Sequence, residues 1–236
     1  MRPEFEVRDT DLAGRIGRIR LASGRVVETP AFFPVIDPIR QEVPLSEIRE
    51  AGFDQVITNA YLLLKRHGWP SQGQSVHYML GWDGAVMTDS GAYQILEYGD
   101  IDVDQRTILE YQKRIATDIG VILDIPTGDV ERGEALATVK RTLERAREAL
   151  EVIDPVNDDI LWMLPIQGGR HLDLLEYSAR ESVRLPYRMY GIGSPTVFLE
   201  EYKYEVITDM IYTVKRILPW TRPVHLFGAG HPLIMP

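Results

Sequence analysis

A chain of 236 residues with 44% hydrophobic and 26% charged residues has the composition of an ordinary soluble globular protein, long enough to bury one large core. Its net charge of −9 argues against a broad nucleic-acid-binding surface, since affinity for a phosphate backbone comes mainly from clustered lysine and arginine, but it leaves room for one base read in a local pocket. Without cysteine there is neither a disulfide framework nor a thiolate metal site in these residues. The histidines, His67, His77, His171, His225 and His231, show no close metal-ligand spacing, so no metal is expected on this chain. No apolar run reaches the ~18 residues of a membrane span, and the amino terminus MRPEFEVRDTD lacks the apolar core of a signal peptide, so the expected location is the cytoplasm with no membrane partner.

In chain order, residues 1–30 differ from the rest. Alternation in Gly17-Arg18-Ile19-Arg20-Leu21, the turn Ala22-Ser23-Gly24 and then Arg25-Val26-Val27-Glu28 predict an antiparallel hairpin, a flap beside the main domain. Residues 31–236 are expected to form one α/β domain. Ser46 to Ala51 reads as a short helix with Ser46 as its N-cap. Short apolar runs follow, each ending in a polar or glycine-rich knot: Phe53 to Asn59, Ala85 to Gln94, Val121 to Thr127, Leu161 to Arg170, Tyr187 to Ser194 and Pro223 to Pro232. Such runs suit strands buried on both faces of a parallel sheet, and the segments between them can hold helices. The spacing predicts a helix between Asp104 and Ala116. It predicts the longest helix from about Glu131 to Val152, with Leu136, Val139, Leu143, Ala146 and Leu150 inward and Lys140, Arg141, Arg145 and Arg147 on a solvated face.

In a barrel or an open doubly wound sheet the chemistry sits at the carboxyl ends of the strands, where Asn59, Asp89, Asp124, Gln167, Gly193 and His231 fall. Asp89, in Thr88-Asp89-Ser90-Gly91, leaves its run where Gly91 allows close backbone approach; it can be a nucleophile, a general acid or base, or merely the cap of the next helix. Asp124 lies inside an apolar run and must find donors or be neutralised, either as part of a site or as an anchor for the Pro126 turn. Gln167 precedes Gly168-Gly169, whose bare backbone could offer N–H groups to a ligand. No Gly-x4-Gly-Lys loop occurs, and Gly191-Ile192-Gly193 and Gly228-Ala229-Gly230 are only fragments of phosphate-binding patterns. The set suits a flat, neutral, hydrogen-bond-rich ligand such as a purine base.

The strings MTDSGAYQ, ILDIPT, PIQGGRH, YGIGS and RPVHLFGAGHP, from about Thr29 to the last residue, resemble those of the tRNA-guanine transglycosylases, and specifically of their archaeal branch. That resemblance implies a modified (β/α)8 TIM-type barrel and an enzyme, a pentosyltransferase that exchanges a D-loop guanine of tRNA for 7-cyano-7-deazaguanine in archaeosine synthesis. Asp89 resembles the family's catalytic aspartate beside the anomeric carbon. Asp124 and Gln167 resemble the residues that hold the base edge, and Gly193 and Ser194 the strand-end segment whose backbone also contacts it. Retained configuration at C1′ implies two displacements through a carboxylate nucleophile, as in retaining glycosidases, and the target base must be flipped out of the folded tRNA.

Relative to the family the chain is expected to stop after about six barrel strands, before a second essential aspartate and a zinc site built largely from cysteine, so no cofactor is expected here and zinc only in the missing carboxyl-terminal part. An open barrel, aggregation-prone and inactive alone, is the corresponding expectation, with unpaired flanks at Phe53 to Asn59 and at Val224 to Phe227. Partners would be tRNA, guanine or 7-cyano-7-deazaguanine, and a second copy of the chain or a complementing carboxyl-terminal subunit. The alternative from another class is a non-catalytic base- or tRNA-binding subunit that keeps Asp124 and Gln167; an unrelated barrel hydrolase leaves RPVHLFGAGHP unexplained.

Overall fold

A computed structural model of the chain describes residues 2–12, 14–92 and 103–230. These fall into two compact units, the first within Met1–Gly91, Val103–Val121 and Val152–Trp162, the second within Ala92–Asp102, Ile122–Glu151 and Met163–Pro236.

The first unit opens with three antiparallel strands, β1 (Glu4–Asp11), β2 (Gly14–Arg20) and β3 (Val26–Thr29), in the order β1-β2-β3. The expected hairpin is therefore present and β1 extends it. Leu21 and Arg25 close its turn, with Leu21 N donating to Arg25 O at 2.9 Å and Gly24 at φ 86°, where a side chain would be strained. Alternation puts Ile19 and Val27 inward, while Arg18 and Glu28 pair on the other face. Buried Asp118 pins this turn to the unit: it accepts from Ser23 Oγ at 2.6 Å and from Val86 N at 3.0 Å, and faces His77 Nε2 at 3.2 Å.

After the flap come β4 (Val35–Ile36), α1 (Leu45–Glu50), β5 (Gln55–Asn59), α2 (Ala60–His67), α3 (Val76–Leu80), β6 (Ala85–Asp89), α4 (Gln105–Arg114) and β7 (Ile119–Val121). Ser46 does not cap α1. Pro44 occupies the cap position with φ −55° and no side-chain bond, two residues ahead of Ser46, and the helix begins at Leu45. Asp104 does cap α4, accepting from Thr107 N at 2.7 Å. The helices bury Ile48, Leu63, Val76, Ile108 and Tyr111 against Val56, Val86 and Trp82. Buried Gln112 of α4 reaches β6 and β7, accepting from Thr88 Oγ1 at 2.7 Å and from Val121 N at 3.1 Å.

The remaining elements are α5 (Arg132–Ala149), β8 (Leu161–Ile166), α6 (Leu172–Ser182), β9 (Met189–Ile192), α7 (Thr196–Glu200), α8 (Tyr204–Lys215) and β10 (Val224–Leu226). Strands β8 and β9 are buried along their whole length, as two-sided burial in a parallel sheet requires. The buried stripe of α5 is Ala135, Val139, Thr142, Leu143, Ala146 and Ala149, with Leu136 and Leu150 only half-buried. Small residues there let the helix lie close. Arg141 sits on the exposed face between Glu144 and Glu148, as expected, but Arg145 turns inward.

The parallel sheet runs β10-β9-β8-β7-β6-β5-β4. This is chain order with no reversal, the winding of a TIM-type barrel; a doubly wound sheet reverses at a switch point. The fold is an incomplete TIM-type barrel with an amino-terminal antiparallel flap. Six barrel strands were expected and seven are found among the described residues, because Val35–Ile36 adds one. The expectation that Phe53 to Asn59 forms an unpaired edge is overturned: β4 pairs with β5 in the register Val35↔Ile57 and Ile36↔Thr58, so β4 is the end strand.

Candidate base-recognition site

In the first unit Asp89 is the last residue of β6 and lies opposite Asn59 of β5 in the register. Asn59 is spent on structure, its Oδ1 accepting from Leu62 N at 3.0 Å to cap α2. Gly91 follows at φ 94°, and a Cβ there would come closer than 3.0 Å to Tyr61 Cβ, so the exit from β6 admits only glycine without rearrangement. The expectation that Asp89 caps a following helix, like Tyr93, Gln94 and His231, falls outside the described residues.

In the second unit four of the sequence-derived residues come together. The run Val121 to Thr127 is not a strand beyond Val121; Ile122 to Thr127 continues as irregular, largely buried chain. Pro126 lacks a donor for a ladder, and Ile125 N is satisfied instead by Thr142 Oγ1 of α5 at 3.0 Å. Asp124, 5% exposed, lies on this segment. Its backbone oxygen accepts from Arg145 Nη1 at 3.0 Å, and its Oδ2 accepts from Gln167 Nε2 at 2.5 Å. Burial pushes the Asp124 carboxyl up to about 6, against the opposing pull of the Gln167 bond, its own backbone N–H and the Arg145 charge.

Gln167, 1% exposed, stands just past β8. Its Oε1 accepts from Thr127 N at 3.1 Å and from Ser194 Oγ at 2.9 Å. Thr127 Oγ1 in turn accepts from Gly168 N at 3.1 Å and meets Thr138 Oγ1 at 2.9 Å. The Gly168 N–H, expected to face a ligand, is thus spent inside the protein. The bare backbone of Gly169 has a different purpose: at φ 56° a Cβ would come closer than 3.0 Å to Gly128 O. Gly193 follows β9, its N–H continuing the ladder to Ile166 O at 3.0 Å. A Cβ on Gly193 would overlap Gln167 Nε2 and Cδ, closer than 3.0 Å. Gly193→Ala is therefore expected to displace an amide bonded at both ends and cost about 1–3 kcal/mol of stability, read by urea denaturation.

Arg145, Thr127 and the Ser194 side chain belong to this cluster, and sequence reasoning missed all three. Arg145 was assigned to the charged face of its helix; a residue at the phase of Thr142 and Ala149 could have flagged it. Among the described residues no group of three or more His, Asp or Glu is placed to hold a metal ion, and no helix is long and apolar enough to cross a membrane. What the second unit offers is an acceptor beside a donor, both buried: a carboxylate oxygen and an amide N–H.

A singly wound parallel sheet with paired polar groups past its strands has the architecture in which binding and catalytic groups sit at the carboxyl ends of barrel strands. The family described as TGT: Queuine tRNA-ribosyltransferase matches residues 9–236, and the chain belongs to this pentosyltransferase family. It is 63% identical, over 98% of its length, to the tRNA-guanine(15) transglycosylase of Aeropyrum pernix, of which it covers 45%. It is 47% identical to that of Sulfolobus acidocaldarius over 98% of the chain and 46% of the relative. It is 43% identical to that of Nanoarchaeum equitans over 100% of the chain and 56% of the relative. The chain therefore spans about half the length of these relatives.

Proposed function

We propose that this chain carries the base-recognition part of a tRNA base-exchange transglycosylase that replaces a D-loop guanine with 7-cyano-7-deazaguanine in archaeosine synthesis. The buried Asp124–Gln167 pair carries the reading. A guanine-type edge presents N–H donors beside a 6-oxo acceptor; an ionised Asp124 meets the donors and a Gln167 N–H the oxygen. Adenine would face Asp124 with a ring acceptor and leave the carboxylate unpaired. In this reading Asp89 serves C1′. A carboxylate attacks C1′ as the bond to the old base breaks and that base takes a proton; the incoming base, having given one up, then attacks C1′ on the face the old base left as the C1′–carboxylate bond breaks, so configuration is retained. Zinc and the second aspartate are assigned to the rest of the protein, and tRNA to the whole of it.

Equilibrium dialysis of labelled guanine against this chain tests the reading. Binding requires ionised Asp124, and a carboxyl near 6 is about nine-tenths ionised at pH 7 and about one-tenth at pH 5. Guanine affinity is therefore expected to fall about tenfold between those two pH values, full above 6 and lost as pH drops through it. A flat profile, or equal binding of adenine, sinks the assignment of Asp124.

A further inference from the structure

Ser194 has a backbone conformation that argues for a purpose. It sits at φ 62°, in the left-handed region that glycine enters freely and serine seldom does, between Gly193 and Pro195. A glycine would serve the chain path better, so the retained side chain points to its hydroxyl. That hydroxyl lies between two partners: Ser194 Oγ donates to Gln167 Oε1 at 2.9 Å and accepts from Thr127 N at 3.0 Å.

The orientation of the Gln167 amide follows from these bonds. A backbone N–H can only donate, so the Gln167 atom 3.1 Å from Thr127 N must be the oxygen. With one lone pair of Ser194 Oγ facing Thr127 N, the hydroxyl hydrogen is left to reinforce the same oxygen. The NH2 group is thereby turned to Asp124, where one hydrogen bonds Oδ2 at 2.5 Å; the other has no partner among the described residues. Two donors hold one end of the amide so that the other end is a donor.

We propose that Ser194, through its side chain, is a positioning residue that fixes the orientation of the Gln167 amide and thereby makes the pocket select a 6-oxo over a 6-amino purine. The inference rests on the base-recognition reading above. With the observed orientation, an acceptor at Asp124 stands beside a donor at Gln167, the complement of an N1–H next to a C6 carbonyl. Turned over, the amide would place its oxygen against the Asp124 carboxylate, a repulsive pair, and would welcome an amino group at C6. Without the hydroxyl the reversal is opposed only by the Thr127 N–H and by the repulsion at Asp124, one donor fewer than in the wild type.

The test uses the chain with Ser194→Gly, which keeps the backbone conformation without strain, and Ser194→Ala alongside it. In ligand-free wild-type protein the two Gln167 side-chain N–H resonances should exchange slowly with water, and in Ser194→Gly at least tenfold faster. The ratio of guanine to 2,6-diaminopurine affinity, measured by equilibrium dialysis, should fall about tenfold in both variants. In a Gln167→Leu background Ser194→Gly should change the ratio no further, since its effect passes through the amide. Unchanged exchange and an unchanged ratio in Ser194→Gly overturn the proposal, as does an equal further loss in the Gln167→Leu background. Wild-type protein that binds neither purine, yet shows the slow Gln167 exchange released by Ser194→Gly, would support the hydroxyl's hold on the amide and overturn the base-recognition reading instead.

Discussion

Asp89→Ala is expected to lower base exchange about ten-thousand-fold or more in the protein completed to the length of its relatives, the scale on which removing a catalytic nucleophile or its partner acts. Guanine affinity should change less than about threefold, because reading of the base edge is assigned to Asp124 and Gln167 and Asp89 is assigned to the ribose. The place of Asp89 makes the variant informative. It ends β6 half-buried, after the fully buried run Ala85 to Thr88, so truncation leaves no cavity of the kind a core deletion creates. Asp89→Asn is the sharper control, since it keeps the shape and a hydrogen-bond acceptor but cannot attack C1′. Equal losses of guanine binding and of exchange in Asp89→Ala would make Asp89 a structural residue. Exchange surviving in Asp89→Asn would take Asp89 out of the chemistry at C1′, whether as nucleophile or as acid–base.

How much of this was legible depends on how each element is held. Runs such as Ala85 to Asp89 and Leu161 to Ile166 are apolar because both faces are covered, and composition alone reveals them. Strand β4 could not be read that way: Val35 and Ile36 stand between Pro34 and Pro38, too few residues to show any period, and only pairing with β5 makes them a strand. The apolar run Ile122 to Thr127 looked like a strand for the converse reason. It is buried by packing while, beyond Ile122, backbone groups such as Ile125 N, Asp124 O and Thr127 N bond to side chains, partners that no local pattern announces. The aspartate and the amide at the heart of the second unit were visible as polar residues where apolar ones belong. Arg145, Thr127 and the hydroxyl of Ser194 were not, because their roles arise from contacts about 20 to 70 positions away along the chain. A serine after Gly-x-Gly reads as a turn until its φ and its two bonds are known.

Asp124→Asn is expected to move binding and stability in different ways. Guanine's two donors would meet an amide that offers only one acceptor and adds an N–H of its own. Losing bonds to a charged group and leaving donors opposed costs about 3 kcal/mol, or about a hundredfold in affinity. Folding should not suffer equally. The carboxyl sits near 6 in the folded chain against an ordinary 3.8, so the folded state holds the proton more tightly than the unfolded one. Its contribution to stability is therefore present in full below 3.8 and lost as pH rises through 6, where ionisation in a buried place costs about 3 kcal/mol. Asparagine cannot ionise, and its oxygen can still accept from Gln167 Nε2, while its own NH2 gives back about 1–3 kcal/mol if unsatisfied. The variant's stability relative to wild type, from urea denaturation, should thus improve by about 2.5 kcal/mol between pH 4 and pH 7, ending close to zero or above it. A difference that stays constant with pH would mean that Asp124 is not ionised at its own expense, and the case for a recognition carboxylate would fall with it. A carboxylate kept only for scaffolding would weaken folding and binding together at neutral pH; one kept for a donor-rich ligand should weaken binding while folding is spared.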